Sequence, residues 1–375
     1  LGKALFDQAL FIPLLFVATA CCDRGAEMAK YTIHFDLRKA VKMNLPEFVD
    51  SIFVILLATN DSSLIKNVVG LSFVDSIFYI NDNQTNILSF DSKGNFLCST
   101  GKLRGSGPNE YFACIAFNIL ENGNCEIFDG LKHRLWEYDS NLNYVSSSEL
   151  PEDVLPASNF LRVSKDICII EDVNSLKFYS SKEGRVLKMI SLPQKKGLPS
   201  ITRNSGLKKL NDEIYYSLRT PERILFKVDI EKMSLQPYYA FDFGQHNLNL
   251  RELPNELPLS FYQNYVMAND GVAFVADKLV SSTMQMCFFI YNKKMYFAIH
   301  NKNNGFYGIY YNEAKSFHQL MIPNLYLNDM LYYICEPRAL DYVLDFKLMS
   351  SEDINKIQSI REDDNPVVVC YKLKR

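Results

Sequence analysis

What this sequence lacks narrows it first. There is no CxxC pair and no cysteine–histidine cluster at zinc-ligand spacing, which removes the structural zinc modules. No GxSxG elbow occurs, so a serine hydrolase of that type finds no support. No glycine-rich loop ends in Gly-Lys-Ser or Gly-Lys-Thr, which excludes a P-loop. The five histidines, His34, His133, His246, His300 and His318, never pair at a ligand spacing. Net charge is only -3, with no basic field to draw nucleic acid. The expectation is therefore no catalytic set, no metal site, no cofactor and no nucleic-acid partner.

What is present is short, apolar and aromatic. Apolar residues make up 48% of the chain, with 22 Tyr and 26 Phe against a single Trp. Many short aromatic runs between polar turns favour β structure. The nine cysteines sit mostly inside such runs, as in Asp166-Ile167-Cys168-Ile169, and read as small buried hydrophobes. A Cys114–Cys125 disulfide is open, but spacing alone does not support it.

The clearest run is Leu71 to Tyr111. Phe73 to Ile80, Ile87 to Phe90 and Phe96 to Thr100 read as three strands. Turns at Asn81-Asp82-Asn83-Gln84 and Asp91-Ser92-Lys93-Gly94-Asn95 separate them. Such a meander cannot bury both faces alone and needs copies of itself. Copies follow, with strand ends aligned at Phe90, Tyr138, Tyr179 and Val228. That spacing of roughly forty to fifty residues is the period of propeller blades. The next match is Ile309-Tyr310-Tyr311. Between them, Phe241 to Ile299 is either one blade with a long connection or an extra partial blade. The first is favoured, with Asn247 to Pro258 as an exposed loop. Near the end, Ser350 to Arg361 reads as a helix capped by Ser351, with Ile354, Ile357 and Ile360 on one stripe. Val367 to Leu373 is a terminal strand. Joining it to the strand Ile52–Leu57 in one shared blade closes the ring.

The predicted fold is all-β: a six-bladed propeller of four-stranded antiparallel blades over residues 47–375, closed by N- and C-terminal strands in a shared blade. Residues 21–46 are expected to form a tether leading into it, and 1–20 a signal peptide. The apolar run Ala9 to Ala20 suits a signal-peptide core and is too short to span a bilayer comfortably. Ala18-Thr19-Ala20-Cys21 resembles a bacterial lipobox, in which the Cys21 thiol takes a diacylglyceryl group.

Further residues carry a wider resemblance: Val49-Asp50-Ser51, Asp61-Ser62-Ser63-Leu64-Ile65, Phe90 to Phe96, Asp364-Asn365-Pro366 and the loop Gly105-Ser106-Gly107-Pro108-Asn109-Glu110-Tyr111. On these the chain resembles the six-bladed β-propeller lipoproteins of Bacteroidetes, related in architecture to NHL and TolB-like propellers. The loop fits the G-x-G-P-x-E-Y pattern of that group, with Arg104 before it. The resemblance implies a lipoprotein of the outer membrane, facing periplasm or cell surface and anchored through Cys21. It implies no assigned activity.

The candidate site residues are few. The Gly105–Tyr111 loop reads as a structural crossing between blades, pinned by Glu110 and Tyr111, or as a ligand contact at the funnel mouth with Arg104 as its polar group. Asp75, Asp82, Asp129 and Glu171 fall near strand ends and read as turn formers unless two converge on one funnel. The tyrosine pairs Tyr215-Tyr216, Tyr238-Tyr239, Tyr310-Tyr311 and Tyr332-Tyr333 read as packing, with a glycan-stacking face as the alternative. The expected function is a non-enzymatic platform for a glycan, peptide or partner protein. The alternatives are a glycan hydrolase or lyase, or a structural subunit of an outer-membrane complex.

Overall fold

Short polar pairs set the geometry. Asp75-Ser76, Asn292-Lys293 and Asn328-Asp329 all lie at positive φ, the conformation of a two-residue hairpin turn that Asn and Asp tolerate. The computed structural model describes residues 28–192, 206–210, 213–218, 221–250, 253–312 and 322–375. There the turns join strands into six blades. Blade 1 is Val68–Val74, Ile77–Asp82, Asn86–Asp91 and Phe96–Ser99, and blade 2 is Ala116–Ile119, Cys125–Asp129, Arg134–Tyr138 and Tyr144–Glu149. Blade 3 is Asn159–Arg162, Ile167–Glu171, Ser175–Ser180 and Arg185–Ser191, and blade 4 is Leu207–Leu210, Glu213–Ser217, Ile224–Asp229 and Ser234–Asp242. Blade 5 is Phe274–Val280, Met284–Tyr291, Lys294–Asn301 and Tyr307–Tyr311.

Blade 6 is the shared one. Leu325–Leu327, Met330–Cys335 and Val367–Leu373 come from the C-terminal part, and Val49–Leu56 supplies the outermost strand. Val369 stands opposite Val54 in an antiparallel register. Val367, Val368 and Val369 expose 1% or less. Burying each stabilises the closure by about 1.5–3 kcal/mol.

Four details differ from the sequence reading. Phe73 to Ile80 is a hairpin rather than one strand, because Asp75 and Ser76 turn the chain at φ 49° and 65°. Ile309-Tyr310-Tyr311 belongs to the fourth strand of blade 5, one strand later than Phe90, Tyr138, Tyr179 and Val228, which all end third strands. Those third strands pair with the fourth through a β-bulge in blades 1 to 4, and the bulge strengthens the twist of the outer strand. The helix Ser351–Gln358 is capped by Ser350, whose hydroxyl accepts from the Asp353 N–H at 3.1 Å. Asn247 to Pro258 is no simple exposed loop: Leu248, Leu250, Leu253 and Leu257 bury against Tyr262 in a small core of their own. Phe241 to Ile299 holds a long connection and no extra partial blade, but blade 5 runs on past it to its fourth strand Tyr307–Tyr311.

The segment before blade 6 does more than lead in. Tyr31–His34 adds a fifth, parallel strand to the outer edge of blade 4, and Val41–Lys42 does the same for blade 5. Both satisfy backbone groups that an outermost strand leaves open. His34 Nδ1 lies 2.6 Å from the Asp242 carboxylate and ties the strap in place.

Antiparallel order divides the connections between two faces. First-to-second and third-to-fourth strand turns emerge on one side. Second-to-third loops and the crossings between blades emerge on the other. Backbone hydrogen bonds confirm the division: Cys114 N–H to Gln84, Leu150 to His133, Leu192 to Asn174 and Phe241 to Arg223, at 2.8 to 3.0 Å. Every long connection therefore leaves from the crossing face, while tight turns occupy the other.

Candidate functional site on the crossing face

The glycine loop is a crossing, and its chemistry is inward. Tyr111 is buried between blades 1 and 2, and its hydroxyl lies 2.7 Å from Thr100 Oγ1 and donates to the Thr85 carbonyl at 2.9 Å. Burial pushes its phenol well above the ordinary range. The Glu110 carboxylate turns back to accept from the Gly107 N–H at 2.8 Å. A Cβ on Gly105 would stand 2.1 Å from that carboxylate and would push the Glu110 side chain aside. Lys132 Nζ donates to the Gly107 and Glu110 carbonyls. Arg104 is exposed and donates to the Phe112 carbonyl at 3.0 Å, close over the Phe112 ring. Of Arg104, Glu110 and Tyr111, Arg104 alone presents its polar group outward, and the three do not form a pocket together. Cys21 lies outside the described residues.

The strand-end carboxylates have a structural task that spacing did not show. Asp82 accepts from the N–H groups of Lys66 and Asn67, both at 2.8 Å. Asp129 accepts from Phe112 at 2.6 Å and from Leu131 and Lys132 at 3.1 Å. Glu171 accepts from the Gly206 N–H at 3.1 Å. Each buried carboxylate ends a second strand and holds the backbone of a crossing, which satisfies both the charge and the N–H groups. Asp75 merely forms its turn.

Blades 4 and 5 meet differently. Between them lies a shallow cleft of about 20 Å³ on the crossing face. Glu222, Arg223 and Asn247 supply its polar lining, and Phe243, Leu248 and Leu250 its apolar lining. Glu222 is 1% exposed, and its Oε1 accepts from the Arg223 and Ile224 N–H groups at 2.8 and 3.2 Å. The leucines come from the long connection, so that insertion builds one wall. Ions tie the blades together nearby. Lys208 pairs with Asp277. Lys278 is wholly buried and its Nζ donates to Ser217 Oγ at 2.7 Å. Burial lowers the Lys278 amine to about 8, against the opposing pull of Cys287, Glu222 and Asp277. Blades 2 and 3 are joined in the same manner by Arg162 and Glu126.

The remaining predicted groups scatter. Tyr215, Tyr216, Tyr239, Tyr310, Tyr332 and Tyr333 are buried, as the packing reading expects. Tyr238 is half-buried beneath the exposed Tyr31 of the strap. His246 meets the Asp270 carbonyl at 2.8 Å and His300 the Gln285 side chain at 2.9 Å, while His318 lies outside the described residues. Among the described residues no three His, Cys, Asp or Glu side chains stand together as metal ligands. Sequence reading missed Glu222, Arg223 and Lys278. The leucine spacing of NLNLRELPNELP was the signal available for the cleft wall.

Comparison with known proteins adds the fold and a family. The description "Domain of unknown function (DUF4934)" fits residues 30–372. No curated protein matches the sequence. A protein of Bacteroides fragilis NCTC 9343 designated as exported superposes with a TM-score of 0.67 at 16% identity, over 92% of this chain and 100% of that one. A member of the DUF4221 family from Bacteroides vulgatus superposes with a TM-score of 0.51 at 11% identity, over 87% and 98%. Both share the propeller fold with this chain.

Proposed function

The chain belongs to the DUF4934 family, and from its geometry we propose a non-enzymatic binding platform of the cell envelope, holding a glycan, peptide or partner protein on its crossing face. One observation carries the reading: the long connection between blades 4 and 5 builds a cleft with a mixed polar and apolar lining on the face where all crossings gather. Loops from distant stretches of chain meet there, the arrangement that lets a propeller recognise one ligand through many segments. Asp82, Asp129 and Glu171 accept from backbone N–H groups of the crossings. An envelope location, with Cys21 lipidated and the propeller tethered to the outer membrane, agrees with the lipobox-like sequence and with the exported designation of the similar Bacteroides protein.

The test is a thermal-shift screen of the protein against glycans and short peptides. A rise in melting temperature that Arg223→Ala abolishes supports the cleft as the binding place. A rise that Arg223→Ala leaves intact moves the site elsewhere. Turnover of any bound glycan would replace the platform by a hydrolase or lyase.

A further inference from the structure

The strap shows what this propeller does with an open sheet edge. On blade 4 it pairs Tyr31 with Tyr239, Thr32 with Ala240, Ile33 with Phe241 and His34 with Asp242, all in parallel. Val41 and Lys42 take the same place beside Tyr310 and Tyr311 of blade 5. In blade 6, Met349 bridges Ile52 of the outermost strand, again in parallel. Among the described residues, blades 1, 2 and 3 end at their fourth strand. The blades align on their bulges. The extra residue is Tyr238 in blade 4 and Val145 in blade 2. Ser146, Ser147, Ser148 and Glu149 therefore stand where Tyr239 to Asp242 receive the strap. In blade 1 the equivalent stretch begins at Cys98 and coils into a short helical turn at Thr100, too soon for four pairs. In blade 3 it begins at Lys188, a charge that guards an edge. The outer strand of blade 2 has no lysine, arginine or proline.

The open backbone groups follow from the ladder. The Leu150 N–H donates to the His133 carbonyl at 2.8 Å, so Leu150 faces the third strand. Alternation turns Ser146 and Ser148 the same way and points the N–H and C=O groups of Ser147 and Glu149 outward. In blade 4, Phe241 likewise donates to Arg223, and the outward Asp242 carbonyl accepts from Phe35 of the strap at 2.7 Å. Arg134 holds the Ser147 and Glu149 side chains, but from the third strand, on the inner side of the edge. We propose that Ser146–Glu149 is a docking edge for an extended segment of a partner protein, which joins blade 2 as a parallel fifth strand. Main-chain hydrogen bonds supply the contact, as in other cases of strand addition. A second copy of this chain is the poorer occupant, because its own strap already lies on blades 4 and 5. The site is on the outer rim, so the inference goes beyond the cleft reading and does not depend on it.

The test places a photo-crosslinking residue at Ser148 and, as a control, at Asn303 in the last turn of blade 5, in the full chain within the envelope of cells that make it. The expected result is a protein joined at Ser148 and not at Asn303. That protein, once purified, should protect the Ser147 and Glu149 amides from hydrogen exchange and leave Ser146 and Ser148 unchanged. Ser147→Pro removes an outward N–H and spares the ladder to the third strand. It should weaken binding about tenfold or more. Ser147→Ala keeps the backbone and should bind as the unaltered chain does. Binding retained in Ser147→Pro, or lost in Ser147→Ala, overturns the proposal. So does the absence of a product at Ser148, or the same product at Asn303. So does a product that is a second copy of this chain, with a dimer in sedimentation. So does binding that leaves the Ser147 and Glu149 amides exchanging freely. Where Ser147→Pro fails to fold, amide exchange in the unaltered chain decides.

Discussion

Raising the pH from 8 to 9.5 should cost this protein a substantial part of its stability, and cysteine is the reason. Cys114, Cys125, Cys168, Cys287, Cys335 and Cys370 are buried, and burial pushes every one of these thiols above the ordinary 9.0, to about 12 for Cys168 and Cys335. The folded chain keeps these protons where the unfolded chain releases them. Their contribution is complete well below pH 9 and is lost as pH rises through that value. At pH 9.5 each thiol withdraws roughly 0.8 kcal/mol, about 5 kcal/mol for the six. Lys278 works in the opposite direction. Its folded value of about 8 lies below the ordinary 10.5, so the penalty of its buried charge is full below pH 8 and eases above it. That returns about 1.5 kcal/mol by pH 9.5. The net fall is at least about 3 kcal/mol, against a typical total of 5–15 kcal/mol. Urea unfolding at pH 8.0, 8.5, 9.0 and 9.5 measures it. Cys370→Val should reduce the fall by about 0.8 kcal/mol, and Lys278→Met should steepen it. A midpoint that stays flat from pH 8 to 9.5 refutes the reasoning. So does thiolate absorbance near 240 nm showing these six thiols ionised in the native protein at pH 9.5.

Other expectations follow from single contacts. Gly94 lies at φ +88°, and an added Cβ would stand 1.9 Å from the Leu56 carbonyl oxygen. Gly94→Ala should therefore destabilise the protein by about 3 kcal/mol or more in urea unfolding. Asp129→Ala leaves the N–H groups of Phe112, Leu131 and Lys132 without their acceptor, and about 3 kcal/mol should be lost, with Asn recovering only part of it. Arg162→Met strands the buried Glu126 carboxylate and should cost about 3–5 kcal/mol at neutral pH. Replacing both partners, Arg162→Met with Glu126→Leu, should recover most of that loss in a double-mutant cycle.

The blade repeat was legible because its signals are local. Asp91 caps its own turn by accepting from Lys93 and Asn95 at 2.9 and 2.8 Å, and Asp139 does the same for Asn141 and Asn143. Such a turn is written in five consecutive residues, so aligned copies expose the period. Phe90, Tyr138 and Tyr179 align because each sits beside the bulge between third and fourth strands. The hairpin at Asp75-Ser76 escaped because its turn residues interrupt an apolar run without glycine or proline. The strap at Tyr31–His34 escaped because a parallel fifth strand needs no turn signal at all.

By itself the sequence determined the all-β class, the blade period and the closure of the ring through Val367–Leu373 and the strand placed at Ile52–Leu57. All three follow from alternation between apolar runs and turn residues, and from the need to pair the last sheet edge. Only the tertiary structure decided what the polar groups do. Asp129 meets Phe112, Glu171 meets Gly206 and Lys278 meets Ser217 across crossings or between blades, and no spacing encodes those meetings. It also decided that the leucines of Asn247 to Pro258 face inward while Leu259, Phe261 and Met267 stay exposed. Both sets are apolar in the sequence. Which of them water reaches depends on the neighbours that the fold brings beside each.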